Sequence, residues 1–112
     1  MADEELTDFQ AEVFAVVRKI PPFGASTYGE VARTTGHSGA ARAVGSVLAK
    51  NPWPYHACHD EHGYLLDKRY VPCHRVVPAG WVESDQTKAL PYLGRRDQSA
   101  VDTRKQLMDT GR

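Results

Sequence analysis

Apolar residues recur at Phe9, Val13, Val16, Val17 and Ile20, three or four positions apart, with charged and polar residues between them. That spacing draws one stripe along an amphipathic helix. Directly ahead, Thr7-Asp-Phe-Gln10 has the form of a capping box, in which Thr7 accepts from the first turn and Gln10 reaches back. Pro21-Pro22 ends the helix, because proline lacks the N–H and disfavours helical geometry in the residue before it. Phe23-Gly24 turns the chain. A second box, Thr27-Tyr-Gly-Glu30, opens a short helix that runs through Arg33 and ends at Gly36. Ser38 is expected to cap a third helix, "GAARAVGSVLAK", closed by Asn51-Pro52. Short helices joined by a glycine turn predict a helix-turn-helix, with residues 38–50 as its recognition helix. This helix is small-sided: Ala40, Ala41, Ala43, Gly45 and Ser46 surround one long residue, Arg42. Small side chains let a backbone approach closely, and composition leaves open whether the neighbour is another helix or a nucleic-acid groove.

Beyond Pro54 the helical period is lost. In "YHACHDEHGYLLDKRYV" a turn-like Asp60-Glu-His-Gly63 lies between apolar and aromatic flanks, which predicts a hairpin or an irregular excursion. "CHRVV" reads as a short extended piece ending at Pro78-Ala-Gly80, and residues 81–96 as loop. A last helix is expected from Asp97 to Met108, with Ala100, Val101, Arg104, Leu107 and Met108 on one side. The pattern therefore predicts one small α/β domain over 1–112. It is mainly helical, with a winged-helix-like helix-turn-helix and a short β-hairpin or extended segment around Cys73. Its parts are the first helices (6–35), the recognition helix (38–50), an excursion (52–70), the Pro-Cys-His-Arg-Val segment (71–78) and the last helix (97–110).

Charge changes this picture little. The 14 basic and 14 acidic residues among 112 cancel, so no overall field draws the molecule to nucleic acid or membrane. Locally, Asp3, Glu4, Glu5, Asp8 and Glu12 crowd the start, after which Arg18, Lys19, Arg33, Arg42 and Lys50 stand against Glu30 alone. Such runs are ordinarily solvated faces. The start is acidic, unlike a signal peptide, and no apolar run reaches membrane length. An intracellular protein is expected, in nucleus or cytoplasm and away from membrane. Its two cysteines should be reduced, with a Cys58–Cys73 bridge as the alternative.

Candidate chemistry centres on "VPCHRVV", Val71 to Val77. A free thiol is only a few per cent thiolate near neutral pH, so a nucleophilic role needs a base or positive potential close by. His74 and Arg75 offer both. Neighbours on a strand face opposite ways, however, so adjacency alone leaves a structural Cys73 equally open. His56, Cys58, His59 and His62 form "HxCHxxH". Zinc takes four nitrogen or sulfur ligands, but this spacing fits no standard finger. Histidines on a solvated hairpin are the expected reading, with neither metal nor other cofactor.

"IPPFGASTYGEVA", "ARAVGSVLAKNP" and "VPCHRVV" occur in this order, and together they resemble the DNA-binding and active-site domain of the O6-alkylguanine-DNA alkyltransferases. The non-catalytic alkyltransferase-like proteins share that framework. The resemblance covers residues 9–54 and 71–78 and is thin elsewhere. It implies a recognition helix in the minor groove of duplex DNA and a flipped-out alkylated guanine, since O6 is hidden in the base stack. It further implies that Tyr28 helps rotate the 3′ phosphate and that Arg42 fills the vacated place, while Ala41 and Gly45 permit close approach. Asn51 joins the recognition helix to the active-site segment, Cys73 accepts the alkyl group, and His74 takes its proton through water. Arg75 is placed at the DNA, with Val77 and Tyr92 walling the base pocket. Taken singly, Tyr28 could be a core tyrosine, Arg42 a surface arginine and Asn51 a plain helix stop; the family order is what joins them.

The sequence departs from that pattern in several places. The family passes from "NP" to "PCHRV" within a few residues, whereas "WPYHACHDEHGYLLDKRY" intervenes here. The glutamate that completes the family's Cys-His-Glu relay aligns with Thr110, with Asp109 beside it. The glycine- and serine-rich pocket segment has only "YLGRR" at Tyr92 as a counterpart. The separate N-terminal domain of many transferases has no match, as in the alkyltransferase-like group, yet the cysteine that group typically replaces is kept. The readings that follow are a single-use transferase with Cys73 as acceptor, a damage sensor that presents the lesion to other repair proteins, and an ordinary helix-turn-helix DNA binder. A monomer is expected in each.

Overall fold

A computed structural model describes residues 6–78, 92–95 and 97–112. Helix α1 (Asp8–Arg18) begins at the expected box: Gln10 N–H donates to Thr7 Oγ1 at 3.1 Å, and Thr7 N–H donates to Gln10 Oε1 at 2.9 Å. It buries Val13, Phe14 and Val17, so the core face includes a phenylalanine that lies beside the five-residue stripe. Strand β1 (Ser26–Thr27) leads into α2 (Tyr28–Thr34), whose N-cap Thr27 accepts from Glu30 N–H at 3.0 Å. The Glu30 side chain does not complete the second box; it pairs with Arg33 instead.

Gly36, at φ 82°, ends α2 in the left-handed region that favours glycine. There Gly36 N–H donates to Arg33 O and His37 N–H to Ala32 O, the paired bonds of a Schellman motif. Helix α3 (Ala41–Ala49) then starts two residues later than a Ser38 cap would place it. Gly39, also left-handed at φ 88°, closes a turn in which Ala40 N–H donates to His37 O. Ala40 becomes the N-cap and supplies no side-chain bond. Helices α1, α2 and α3 bury Val31, Ala32, Val44 and Leu48 against Val13, Phe14 and Val17, and α2–α3 form the helix-turn-helix.

The excursion leaves α3 through Trp53 and Tyr55, both buried, and adds a one-turn helix α4 (Tyr55–Cys58) where a hairpin was one expectation. Hairpin character is confined to one antiparallel bridge, His59 to Leu65, around a turn held by Asp60. Large aromatic anchors decide this: Trp53 packs edge-on against Phe14, and Tyr55 stacks on His59 at 4.0 Å. Val71 N–H donates to Trp53 O at 2.9 Å, so the excursion leaves and re-enters the domain at one point.

The Cys73–Arg75 stretch is a 3₁₀ turn rather than an extended piece. Pro72 O accepts from Arg75 N–H at 3.0 Å, and only Val76–Val77 (β2) is extended. Strand β2 pairs in parallel with β1, Ser26 opposite Val76 and Thr27 opposite Val77. Helix α5 (Gln98–Asp109), capped by Asp97, packs Ala100, Arg104 and Leu107 inward. Of the loop expected over 81–96, residues 81–91 and 96 lie outside the described residues, as do Ala79 and Gly80. Among the described residues no helix is long and apolar enough to cross a membrane.

Candidate active site and DNA interface

The β1–β2 pairing decides what meets what. By holding Thr27 against Val77, it sets Tyr28, the first residue of α2, beside the turn that carries Cys73. Tyr28, Gly45, Leu48, Ala49, Cys73, Tyr92, Leu93, Gly94 and Arg104 enclose a cavity of about 190 Å³. That is roughly the space of six waters, below the range of drug-sized pockets and near that of one flat ring system. A shallower groove of about 580 Å³ adjoins it, lined by Tyr28, Gly29, Ala41, Arg42, Gly45, Ser46, Ala49 and Pro78. Tyr28, Gly45 and Ala49 belong to both walls, so the exposed face of the helix-turn-helix leads to the thiol. Arg42 is exposed on that face. Gly45 sets the width: a Cβ there would stand 3.9 Å from the Tyr28 ring, ordinary contact, while anything larger would reach into the space.

Asn51, 6 % exposed, ties the end of α3 to the thiol segment. Its Nδ2 donates to Val71 O at 3.0 Å and its Oδ1 accepts from Trp53 N–H at 2.9 Å. Burial pushes the Cys73 thiol up from its ordinary range; the Asn51 amide, the Arg104 guanidinium and the Tyr92 phenol act against that shift. His74 is fully buried and held at about 3, first by desolvation and then by the positive fields of Arg75 and Arg104. Its imidazole is therefore neutral over the ordinary pH range, and the same burial and fields make it a weak proton acceptor. Neither ring nitrogen has a hydrogen-bond partner of proper geometry among the described residues. Asp109 faces Lys105 at 3.9 Å, and Thr110 Oγ1 donates back to Gln106 O at 2.7 Å, so neither presents an acid to His74.

Other expected site residues stand elsewhere. Arg75, expected at the DNA, is 7 % exposed and donates to Ile20 O at 2.8 Å and Arg112 O at 2.5 Å; it clamps the end of α1 and the end of α5 to the thiol turn. The 3₁₀ geometry turns it inward, where extended backbone would have alternated the side chains. Val77 is buried in the β1–β2 pair and does not line the cavity, whereas Tyr92 does. Cys58 and Cys73 are both free thiols. His56 and His59 pack on Tyr55, Cys58 is fully buried, and His62 is exposed beside Glu61. Among the described residues no three His, Cys, Asp or Glu side chains come together to hold a metal. Arg104 is the site residue that motif reading passed over. An arginine on the apolar side of the last helix, between Ala100 and Leu107, was the available signal.

The family profile described as 6-O-methylguanine DNA methyltransferase, DNA binding domain, matches residues 8–91, most of the chain. The chain belongs to that family. It is 36 % identical over 75 residues to the methylated-DNA–protein-cysteine methyltransferase of Methanosarcina acetivorans, covering 67 % of this chain and 39 % of that protein. A DNA base-flipping protein of Vibrio parahaemolyticus is 43 % identical over 47 residues, 42 % of this chain and 47 % of that one. The fold also has solved relatives. The Mycobacterium tuberculosis O6-methylguanine methyltransferase superposes with a TM-score of 0.62 at 27 % identity, over 95 % of this chain and 49 % of that one. S. pombe Atl1, in complex with damaged DNA containing O6-carboxymethylguanine, gives 0.57 at 27 % identity, over 95 % and 77 %. This chain thus spans less than half of either curated relative.

Proposed function

We propose that this protein is a DNA-repair alkyltransferase that binds duplex DNA through the α2–α3 face, flips an O6-alkylated guanine into the 190 Å³ cavity and accepts the alkyl group on Cys73. The observation that carries the reading is the thiol at the wall of a base-sized cavity that opens beside the recognition helix. In the step itself the thiol proton leaves to the neutral His74 through solvent. The sulfur then attacks the alkyl carbon, an S–C bond forms and the C–O6 bond breaks. The electron pair passes to guanine O6, and the base regains a proton as ordinary guanine. A thioether does not reverse under these conditions, so each molecule acts once.

One observation favours a second reading. Among the described residues His74 has no acid behind it, and burial raises the thiol, which together slow thiolate formation. A protein that binds the lesion and leaves its removal to others would need the groove, Tyr28 and Arg42, and not the relay. Intact-mass measurement after incubation with a duplex bearing one O6-methylguanine separates the two. A gain of one methyl group, absent in Cys73→Ala, supports the transferase. Lesion binding without that gain supports the sensor. Arg42→Ala should weaken lesion binding in either case and leave the melting temperature nearly unchanged, since the side chain is exposed.

A further inference from the structure

We propose that Arg104 is the positioning cation for Cys73, holding the negative charge that alkyl transfer creates first on the sulfur and then on guanine O6. The inference rests on the transferase reading for its chemistry and on geometry for its placement. Arg104 is 4 % exposed, projects from α5 between buried Ala100 and Leu107, and forms part of the wall of the cavity that Cys73 also lines. Its guanidinium donates to the Val76 carbonyl, which roots it in the strand immediately after the thiol turn. Arginine keeps its charge at any working pH and carries five N–H donors in a fixed plane.

Among the described residues, the Asn51 amide from the end of α3 and the Tyr92 phenol act on the thiol as neutral groups, and the Tyr70 phenol, also pushed up by burial, is coupled to it. His74, next in the same turn, is neutral above about 3, and Arg75 directs its guanidinium to the Ile20 and Arg112 carbonyls. Among the described residues Arg104 is the charged side chain whose field favours the Cys73 thiolate. As the S–C bond forms and the C–O6 bond breaks, charge moves across the same cavity toward the departing oxygen, within reach of that field. Helix α5 thus supplies a cation to the thiol, although it supplies no acid to the histidine.

The test titrates the thiol without DNA. In a Cys58→Ala background Cys73 is the remaining cysteine, and its alkylation by iodoacetamide is followed by intact mass from pH 6 to 10. Arg104→Gln should move the midpoint up by about one unit or more and slow alkylation at pH 7.5 by roughly tenfold. Arg104→Lys should recover most of that loss. A purely structural arginine would alter melting temperature but not this ordering, and an unchanged profile in a folded Arg104→Gln overturns the inference. Should Arg104→Gln not fold, Arg104→Met keeps the apolar stem and takes its place. If neither folds, Arg104→Lys carries the test, since its shorter reach must still raise the midpoint; no rise overturns the inference. The two proposals fail separately. No methyl transfer, with a titration that still responds to Arg104, removes the transferase reading alone. Methyl transfer at equal rates in wild type and Arg104→Gln removes the role of Arg104 alone.

Discussion

Replacing Asn51 by alanine tests whether one side chain holds the recognition helix to the thiol segment. The amide makes two buried bonds, one to the Val71 carbonyl at 3.0 Å and one from Trp53 N–H at 2.9 Å. A buried donor or acceptor left without a partner costs about 1–3 kcal/mol. The two losses are unequal. Val71 O still accepts from Cys73 N–H at 2.8 Å, whereas the Trp53 N–H loses the acceptor it now has. The sum is then about 2–4 kcal/mol, a large share of the stability of a small domain. It should appear as a fall in melting temperature of roughly 10–20 °C. Urea denaturation followed by circular dichroism gives the free energy directly, and an unchanged slope would confirm that only the native state was altered. Asn51→Asp is the control: it keeps an acceptor for Trp53 but sets a carboxylate against the Val71 carbonyl. Its deficit should shrink at acid pH, where the protonated group can again donate. A loss below about 1 kcal/mol in Asn51→Ala, less than one unpaired buried group costs, would refute the reasoning.

The other expectations concern the charge and shape of the same region. His74 is held at about 3 in the fold against an ordinary 6.5. The stability it contributes is therefore present above pH 6.5 and lost as pH falls toward 3, amounting to roughly 2–3 kcal/mol between pH 7 and 4.5. His74→Gln should remove that part of the acid sensitivity in urea titrations at the two pH values, and equal slopes in both proteins would count against a neutral buried imidazole. Gly45→Ala should fold and gain up to about 1 kcal/mol of helix propensity, since its Cβ meets Tyr28 at 3.9 Å. Gly45→Leu should keep its melting transition while affinity for lesion DNA drops at least about tenfold, or about 1.4 kcal/mol. Arg75→Gln should cost about 2–4 kcal/mol through the lost bonds to Ile20 and Arg112. It should leave the salt dependence of DNA binding as it was; a slope smaller by about one would return Arg75 to a phosphate.

Local signals carried far where the chain decides its own geometry. Thr7 and Gln10 close α1 as their spacing requires, and Gly36 ends α2 because a left-handed residue is needed there. The order of the three motifs also joined Tyr28, Arg42, Asn51 and Cys73 as one site before any coordinate did. Other features depend on partners distant in sequence. Ser38 looks like a cap, but Gly39 makes a turn first and delays the helix. Cys-His-Arg looks extended, but the bonds that Arg75 donates, from its N–H to Pro72 O and from its guanidinium to Ile20 O and Arg112 O, wind it into a turn and draw the arginine inward. The residues between Trp53 and Val71 look like an interruption of the site. Their two ends are hydrogen-bonded to each other, so a longer loop adds only a slowly growing closure entropy and leaves Asn51 and Cys73 in register. Sequence by itself thus determined helices α1, α2, α3 and α5, the start of α1, the end of α2 and the candidate thiol, since those follow from residues within a turn or two of each other. Tertiary structure alone decided that Arg104 shares a wall with Cys73 and that the Arg75 guanidinium turns inward to Ile20 and Arg112, because burial and electrostatic fields belong to neighbours brought together from distant parts of the chain.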